Sequence, residues 1–135
     1  MGKQWGLTIL RVVAGIVFLM HGGQKLFVFH LSGTIGFFTH VGIPLPAISA
    51  VAVTFVEFLG GIALILGLLT QWAAGLLAID MLGAIVLVHL RNGFFITPAA
   101  IGFEYALTLL AANIALALAG PGAAAVDALF GKGTA

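Results

Sequence analysis

The sequence predicts an all-α protein, a bundle of four transmembrane helices, from its composition and its length. Of the 135 residues, 62% are hydrophobic and only 7% are charged, whereas about a quarter of residues are charged in an average soluble domain. A spanning helix needs roughly 20 apolar residues, which leaves room for about four helices with short links. We therefore expect residues 1–135 to form a single membrane domain.

Charge and cysteine content exclude several functional classes. The formal net charge is +1, without the clustered Lys and Arg residues that nucleic acid binding requires. Nucleic acid is therefore excluded as a partner. The chain has no cysteine, which excludes disulfides, thiol relays and thiolate-held clusters or zinc. We expect no metal site and no intrinsic cofactor, so any redox role would use a bound or borrowed cofactor.

The first predicted helix covers residues 5–29, with Trp5 as an aromatic anchor at the membrane interface. It is interpreted as a retained helix and not as a cleaved signal peptide, because more membrane segment follows it. The next stretch, HLSGTIGFFTHVGIPLP, is too polar and too rich in Gly and Pro to span a membrane. Phe37, Phe38 and Val41 give it one apolar face, which predicts a short interfacial segment.

The second and third predicted helices cover residues 47–69 and 72–90. Pro44 and Pro46 mark a turn and a helix start, because proline is tolerated in a first helical turn. Only two residues separate the two helices, so they must form a tight antiparallel hairpin.

The fourth predicted helix covers residues 99–119, with Thr97 and Pro98 placed to start it. The topology is then up-down-up-down. We call side A the side that holds the start of the first helix, the turn between the second and third helices and the C-terminus. Side B is the opposite side.

Ionisable residues share one face of the first helix. At about 100° per residue, Arg11, His21 and Lys25 fall on one stripe with Gly15 and Gly22. A charge exposed to lipid costs at least about 2.5 to 3.5 kcal/mol at the bilayer centre, which favours an inward stripe.

Arg11 and Asp80 lie at comparable depths from side A. The sequence therefore predicts a buried ion pair between them that fixes the register of the helices.

Side B collects a second polar group, for which we predict ligand or quinone binding or proton handling. Its members come from all four helices: His21, Lys25, Glu57, His89, Glu104 and Tyr105. Glu57 lies near mid-depth and must be neutral or paired, with Lys25 and His21 as its candidate partners. Lys25 and Arg91 could instead extend to the headgroups. His89 lies about 180° from Asp80 on the helical wheel, so one of the two is expected to be peripheral.

Several segments together resemble the DoxX family of small four-helix bacterial and archaeal membrane proteins. RVVAGIVFLMHGGQKLF is similar to the first-helix pattern of that family, and VEFLGGIALILGLLTQWAA to the second. VHLRNGFF, FEYALTLLAANIALALAGPG and VDALF are similar to later landmarks. The resemblance implies a multi-pass protein of a bacterial or archaeal plasma membrane, associated with quinone-linked oxidoreductase assemblies.

A quinone-interacting subunit of a redox complex is the leading functional hypothesis. His21, Lys25 and Tyr105 could donate hydrogen bonds to the quinone carbonyls, and Glu57 or Glu104 could carry protons. Such a subunit would not be an autonomous enzyme, because it needs an electron-donating partner. Haem held by His21 and His89 is disfavoured, since nothing in the sequence places the two side chains on opposite faces of a cofactor.

Two other hypotheses belong to different classes. The first is a module that binds or transports a small solute or a lipid headgroup, which would require a homo-oligomer. The second is an assembly subunit whose charges only set helix register. For orientation, Lys3, Arg11 and Lys132 on side A slightly outnumber Lys25 and Arg91 on side B, which favours a cytoplasmic side A.

Overall fold

The computed structural model describes residues 1–131, and the described chain is built from α-helices. Lys132, which entered the prediction of orientation, lies outside this range. The five α-helices are α1 (Gly2–Gly23), α2 (His30–Val41), α3 (Pro46–Leu66), α4 (Thr70–Ala84) and α5 (Glu104–Ala119).

Two of the helices continue beyond their α-helical part. A π-helical turn over Gln24–Val28 extends α1, and a second one over Ile85–His89 extends α4. With these extensions the chain has three helices long and apolar enough to cross a membrane, Gly2–Val28, Pro46–Leu66 and Thr70–Asn92. Together with the shorter apolar α5 they form the predicted four-helix bundle.

The predicted interfacial segment between the first two spans is the helix α2. The helical conformation is interrupted at His30, between the π-helical extension of α1 and α2. The φ of His30 is 60°, in the left-handed region, which a right-handed helix does not adopt. Thr34 and Phe38 are the buried residues of α2, which packs against α3. The segment therefore covers one flank of the bundle.

Glycines let the backbones of α1 and α3 approach closely. A Cβ added to Gly15 would lie 2.8 Å from the carbonyl oxygen of Gly61, and one added to Gly22 would collide with the backbone of Phe58. Small residues at such crossings are typical of helices that pack in lipid. Two glycines of α3 serve the same packing: Gly61 lies against the backbone of α1, and Gly60 lies against Leu77 of α4.

The fourth helix of the bundle, α5, begins at Glu104, later than the sequence predicts. Residues 94–103 form a compact turn segment instead, closed by an antiparallel bridge between Ile96 and Ile101. Thr97 and Pro98 lie inside this turn, where the Thr97 amide donates to Ala100 O at 2.9 Å. The predicted start of the fourth helix was therefore wrong, because a Thr-Pro pair is as compatible with a loop turn as with the first turn of a helix.

The segment after α5 folds back across side A. Thr8 Oγ1 donates to Ala123 O at 2.6 Å, and the carboxylate of Asp127 accepts from the amides of Leu69 at 2.6 Å and Thr70 at 2.9 Å. These amides begin α4 and have no partner within the helix. Asp127 therefore caps α4 and joins the C-terminal segment to the bundle.

Candidate functional site

Arg11 does not pair with Asp80, contrary to the sequence prediction. The guanidinium is only 1% exposed and donates to the carbonyl oxygens of Leu64 at 2.9 Å, Ile65 at 3.1 Å, Ala123 at 3.3 Å and Ala124 at 3.0 Å. Because the C-terminal segment folds back over side A, backbone carbonyls reach Arg11 there.

The interior of the side-B half contains a cavity of about 390 Å³. All five helices contribute to its wall, and most of the wall is apolar, including Phe18, Phe38, Met81, Leu87 and Leu109. Six polar side chains with titratable groups also line it: His21, Lys25, Glu57, Asp80, His89 and Tyr105. We call these six residues the cavity cluster.

Lys25 and Glu57 form an ion pair inside the cavity. Lys25 Nζ lies 2.6 Å from Glu57 Oε2, and the side chains are 18% and 6% exposed, respectively. Lys25 is thus one of the two partners that the sequence predicted for Glu57, and it reaches inward instead of extending to the headgroups. The pair links the π-helical extension of α1 to the middle of α3, where an unpaired buried carboxylate would be costly.

Asp80 and His89 both line the cavity, although a regular helix would place them on opposite faces. The π-helical turn over Ile85–His89 lies between them. Its wider hydrogen bonding adds a residue to the turn and shifts the direction of the side chains after it. The prediction that one of the two is peripheral was therefore wrong, and Asp80 belongs to the cavity cluster.

The two histidines of the cavity cluster bond to backbone carbonyls through Nδ1. His21 Nδ1 lies 2.8 Å from Val17 O, and His89 Nδ1 lies 3.1 Å from Ile101 O. A carbonyl only accepts, so Nδ1 carries the proton in both rings and Nε2 of the neutral ring is an acceptor. The His21 ring lies 6.2 Å from the ring of Tyr105, which brings α1 and α5 together at the edge of the cavity.

Glu104, a member of the predicted side-B group, lies outside the cavity wall, as does Arg91. Glu104 Oε2 accepts from the amide of Ile96 at 2.7 Å, which braces the turn before α5. Arg91 is exposed and donates to Val41 O at 2.8 Å, which ties the end of α4 to the end of α2. Their contacts hold loops in place.

The cavity also contains residues that sequence reasoning did not assign to the site. Phe37, Phe38 and Ile43 close it from the α2 side. The apolar face predicted for the interfacial segment was the available signal for Phe37 and Phe38, and it did not include Ile43. The sequence assigned Asp80 only as a partner for Arg11. A helical wheel for a regular α-helix places Asp80 opposite His89, so it gave no signal that the two residues share a cavity.

The fold and the cavity define a class of small α-helical membrane proteins with a polar cluster inside an apolar bundle. The chain belongs to the DoxX family, whose model matches residues 6–90.

Curated relatives match nearly the whole chain. A Bacillus subtilis protein named "Putative oxidoreductase CatD" is 35% identical over 95% of this chain and 89% of its own length. A Mycobacterium tuberculosis protein named "Uncharacterized membrane protein Rv3486" is 37% identical over 91% of this chain and 80% of its own. The Escherichia coli "Inner membrane protein YphA" is 29% identical over 90% and 87%. No solved structure matches the chain.

Proposed function

We propose that this chain is a quinone-binding subunit of a redox complex in a bacterial inner membrane. The observation that carries the proposal is the apolar cavity into which the cavity cluster converges. Ligand pockets typically enclose about 300 to 1,000 Å³, with apolar walls and a few placed polar groups. A quinone headgroup is a flat ring with two carbonyl oxygens, which requires both features.

The polar groups suit both oxidation states of a quinone. Lys25 Nζ and the Tyr105 hydroxyl can donate to the carbonyl oxygens of the oxidised ring. His21 Nε2 is an acceptor when Nδ1 donates to Val17 O, so it suits a hydroxyl of the reduced ring. Glu57, paired with Lys25, is a group that can receive a proton when a ligand draws Lys25 away.

The proposal requires a partner that supplies or accepts electrons. The chain lacks cysteine, so it carries no thiolate-held redox centre. The printed name of the Bacillus subtilis relative, an oxidoreductase, supports a redox setting. The name of the Escherichia coli relative supports the inner membrane. We infer that the electron carrier resides in a separate subunit that docks on the bundle.

Binding of a short-tailed benzoquinone to the full chain in lipid nanodiscs tests the proposal. Gly83 lines the cavity, and a Cβ placed there meets no atom within 4 Å. Gly83→Leu therefore fills the cavity and should abolish binding. Gly75 on the same helix also has open space around it but is not part of the wall, so Gly75→Leu should bind as the wild type does.

A charge-matched pair of variants separates the cavity from general effects of charge. Lys25→Met should weaken quinone binding by at least about tenfold, because a hydrogen bond from a charged group contributes about 1.5 to 3 kcal/mol. Lys3→Met removes an exposed lysine of side A and should leave binding unchanged. Failure of the wild type to bind quinone, or equal binding by Gly83→Leu, would refute the proposal in favour of a scaffold or a headgroup site.

A further inference from the structure

Asp80 and His89 are the two members of the cavity cluster that the proposed function does not use, and Asp80 is the acidic one. It lines the same cavity as Glu57 and Lys25, close enough for their charges to act on its carboxyl group. Its Oδ2 atom is buried and has no hydrogen-bond donor among the described residues. A carboxylate oxygen in such a position lacks the compensation that buried charges need.

Charge counting around the cavity leaves one carboxyl group without a counter-ion. The titratable groups that face Asp80 are His21 and Lys25 from α1, Glu57 from α3, His89 from its own helix and Tyr105 from α5; α2 contributes none.

Within residues 1–131, the Lys25–Glu57 contact is the one ion pair. Both histidines bond to backbone carbonyls through Nδ1, and neither lies at ion-pair distance from a carboxylate. One lysine therefore compensates one of the two carboxylates, and the second charge would be unpaired.

We propose that Asp80 and Glu57 share one bound proton at neutral pH, so that Asp80 is the proton-holding group of the cavity. A proton between two neighbouring carboxyl groups removes the unpaired charge and gives the buried Asp80 oxygen a hydrogen bond. The triad of Lys25, Glu57 and Asp80 is then neutral overall. An isolated carboxylate at this depth would cost several kcal/mol instead.

The shared proton also indicates which ligand atom the site receives. Because the shared proton neutralises the second carboxylate, no free anion faces a ligand, and the donors that the resting cavity presents are Lys25 and Tyr105. Such an arrangement suits a headgroup with carbonyl oxygens, that is, the oxidised ring. This last step rests on the proposed quinone function, whereas the location of the proton does not.

Infrared spectroscopy of the full chain in lipid, without added quinone, measures the proton directly. A protonated carboxyl group has a C=O stretch that is resolved from the amide bands and that shifts in D₂O, and a carboxylate has none. The chain contains only four acidic side chains. Two of them, Glu104 and Asp127, lie outside the cavity wall and accept hydrogen bonds from backbone amides.

The variants give distinct expected intensities for this band. The wild type should show one protonated carboxyl group per chain. Asp80→Asn should show none, because Glu57 stays paired with Lys25, and Glu57→Gln should show none, because Asp80 then takes the lysine. Lys25→Met should show two, since no cation remains in the cavity. Glu104→Gln is the matched control and should leave the wild-type band unchanged.

A wild-type spectrum without the band, or a band that persists in both Asp80→Asn and Glu57→Gln, would overturn the proposal. The spectra of Asp80→Asn and Glu57→Gln are compared only for samples whose circular dichroism matches that of the wild type, which shows that they are folded. Lys25→Met keeps both carboxyl groups and removes the cation, so it tests the proposal without changing either acid. Because no quinone is present, the band reports only the proton. Loss of quinone binding with an intact band would refute the proposed function alone.

Discussion

Replacing Arg11 by Met tests how the side-A end of the bundle is held together. The guanidinium is buried and donates four hydrogen bonds to carbonyls of α3 and of the C-terminal segment. At about 1 kcal/mol net for each bond, their loss costs about 4 kcal/mol. Breaking a buried charged network typically costs about 3 to 5 kcal/mol, which agrees.

The assay is reversible unfolding in mixed micelles of mild detergent and SDS, followed by far-ultraviolet circular dichroism. Arg11→Met should lower the free energy of unfolding by about 3 to 5 kcal/mol. Arg11→Lys should recover only part of this loss, because an ammonium group cannot donate in the fork geometry of a guanidinium.

Double-mutant cycles then identify the acidic residue to which Arg11 is coupled. Asp127 lies within electrostatic range of the guanidinium, so the coupling between Arg11→Met and Asp127→Ala should exceed about 0.5 kcal/mol. Asp80 lies in the cavity wall with Glu57 and Lys25 instead, so its coupling to Arg11 should stay within the error of additivity. A loss below about 1 kcal/mol for Arg11→Met, or a larger coupling to Asp80 than to Asp127, would refute this reasoning.

Three other predictions address packing, capping and the edge of the site. Gly22→Ala should destabilise the bundle by about 1 to 3 kcal/mol, because the added Cβ collides with the backbone of Phe58. Gly75 has open space around it, so Gly75→Ala should be neutral or stabilising by up to about 1 kcal/mol in the same unfolding assay. Asp127→Ala should accelerate hydrogen exchange of the amide that Thr70 now donates to its carboxylate. Glu104→Gln should leave quinone affinity unchanged while hydrogen exchange in the turn before α5 accelerates, because its carboxylate accepts from Ile96.

Each of these predictions has a result that contradicts it. Equal stability of the two glycine variants would show that the close approach of α1 and α3 is not tightly packed. Unchanged exchange at Thr70 would show that Asp127 does not cap α4. A tenfold loss of quinone affinity in Glu104→Gln would place that carboxylate in the site after all.

The spans could be predicted from the sequence because lipid allows few alternatives. An apolar run of about 20 residues in a bilayer satisfies its backbone only as a helix, so the first three spans are close to their predicted bounds. The stripe on α1 was readable in part, since Arg11 and Gly22 follow the helical period and are buried, whereas His21 on the same stripe is exposed. The Lys25–Glu57 pair followed from the need to compensate a deep carboxylate.

Other features depend on contacts that no local pattern encodes. The partner carbonyls of Arg11 come partly from Ala123 and Ala124, which reach it only because the chain folds back after α5. The presence of both Asp80 and His89 in the cavity wall depends on the π-helical turn between them. The start of α5 depends on hydrogen bonds across the 94–103 turn, which compete with a helix starting at Thr97.

Photoaffinity labelling with a quinone that carries an azide on its ring, followed by peptide mapping, tests the central claim most directly. The account predicts saturable labelling of the cavity wall on α4 and α5, around Ala84, Leu87 and Ala106. Excess unlabelled quinone should prevent this labelling, and Gly83→Leu should lack it. Saturable labelling confined to other parts of the chain, or no labelling that unlabelled quinone prevents, would contradict the account.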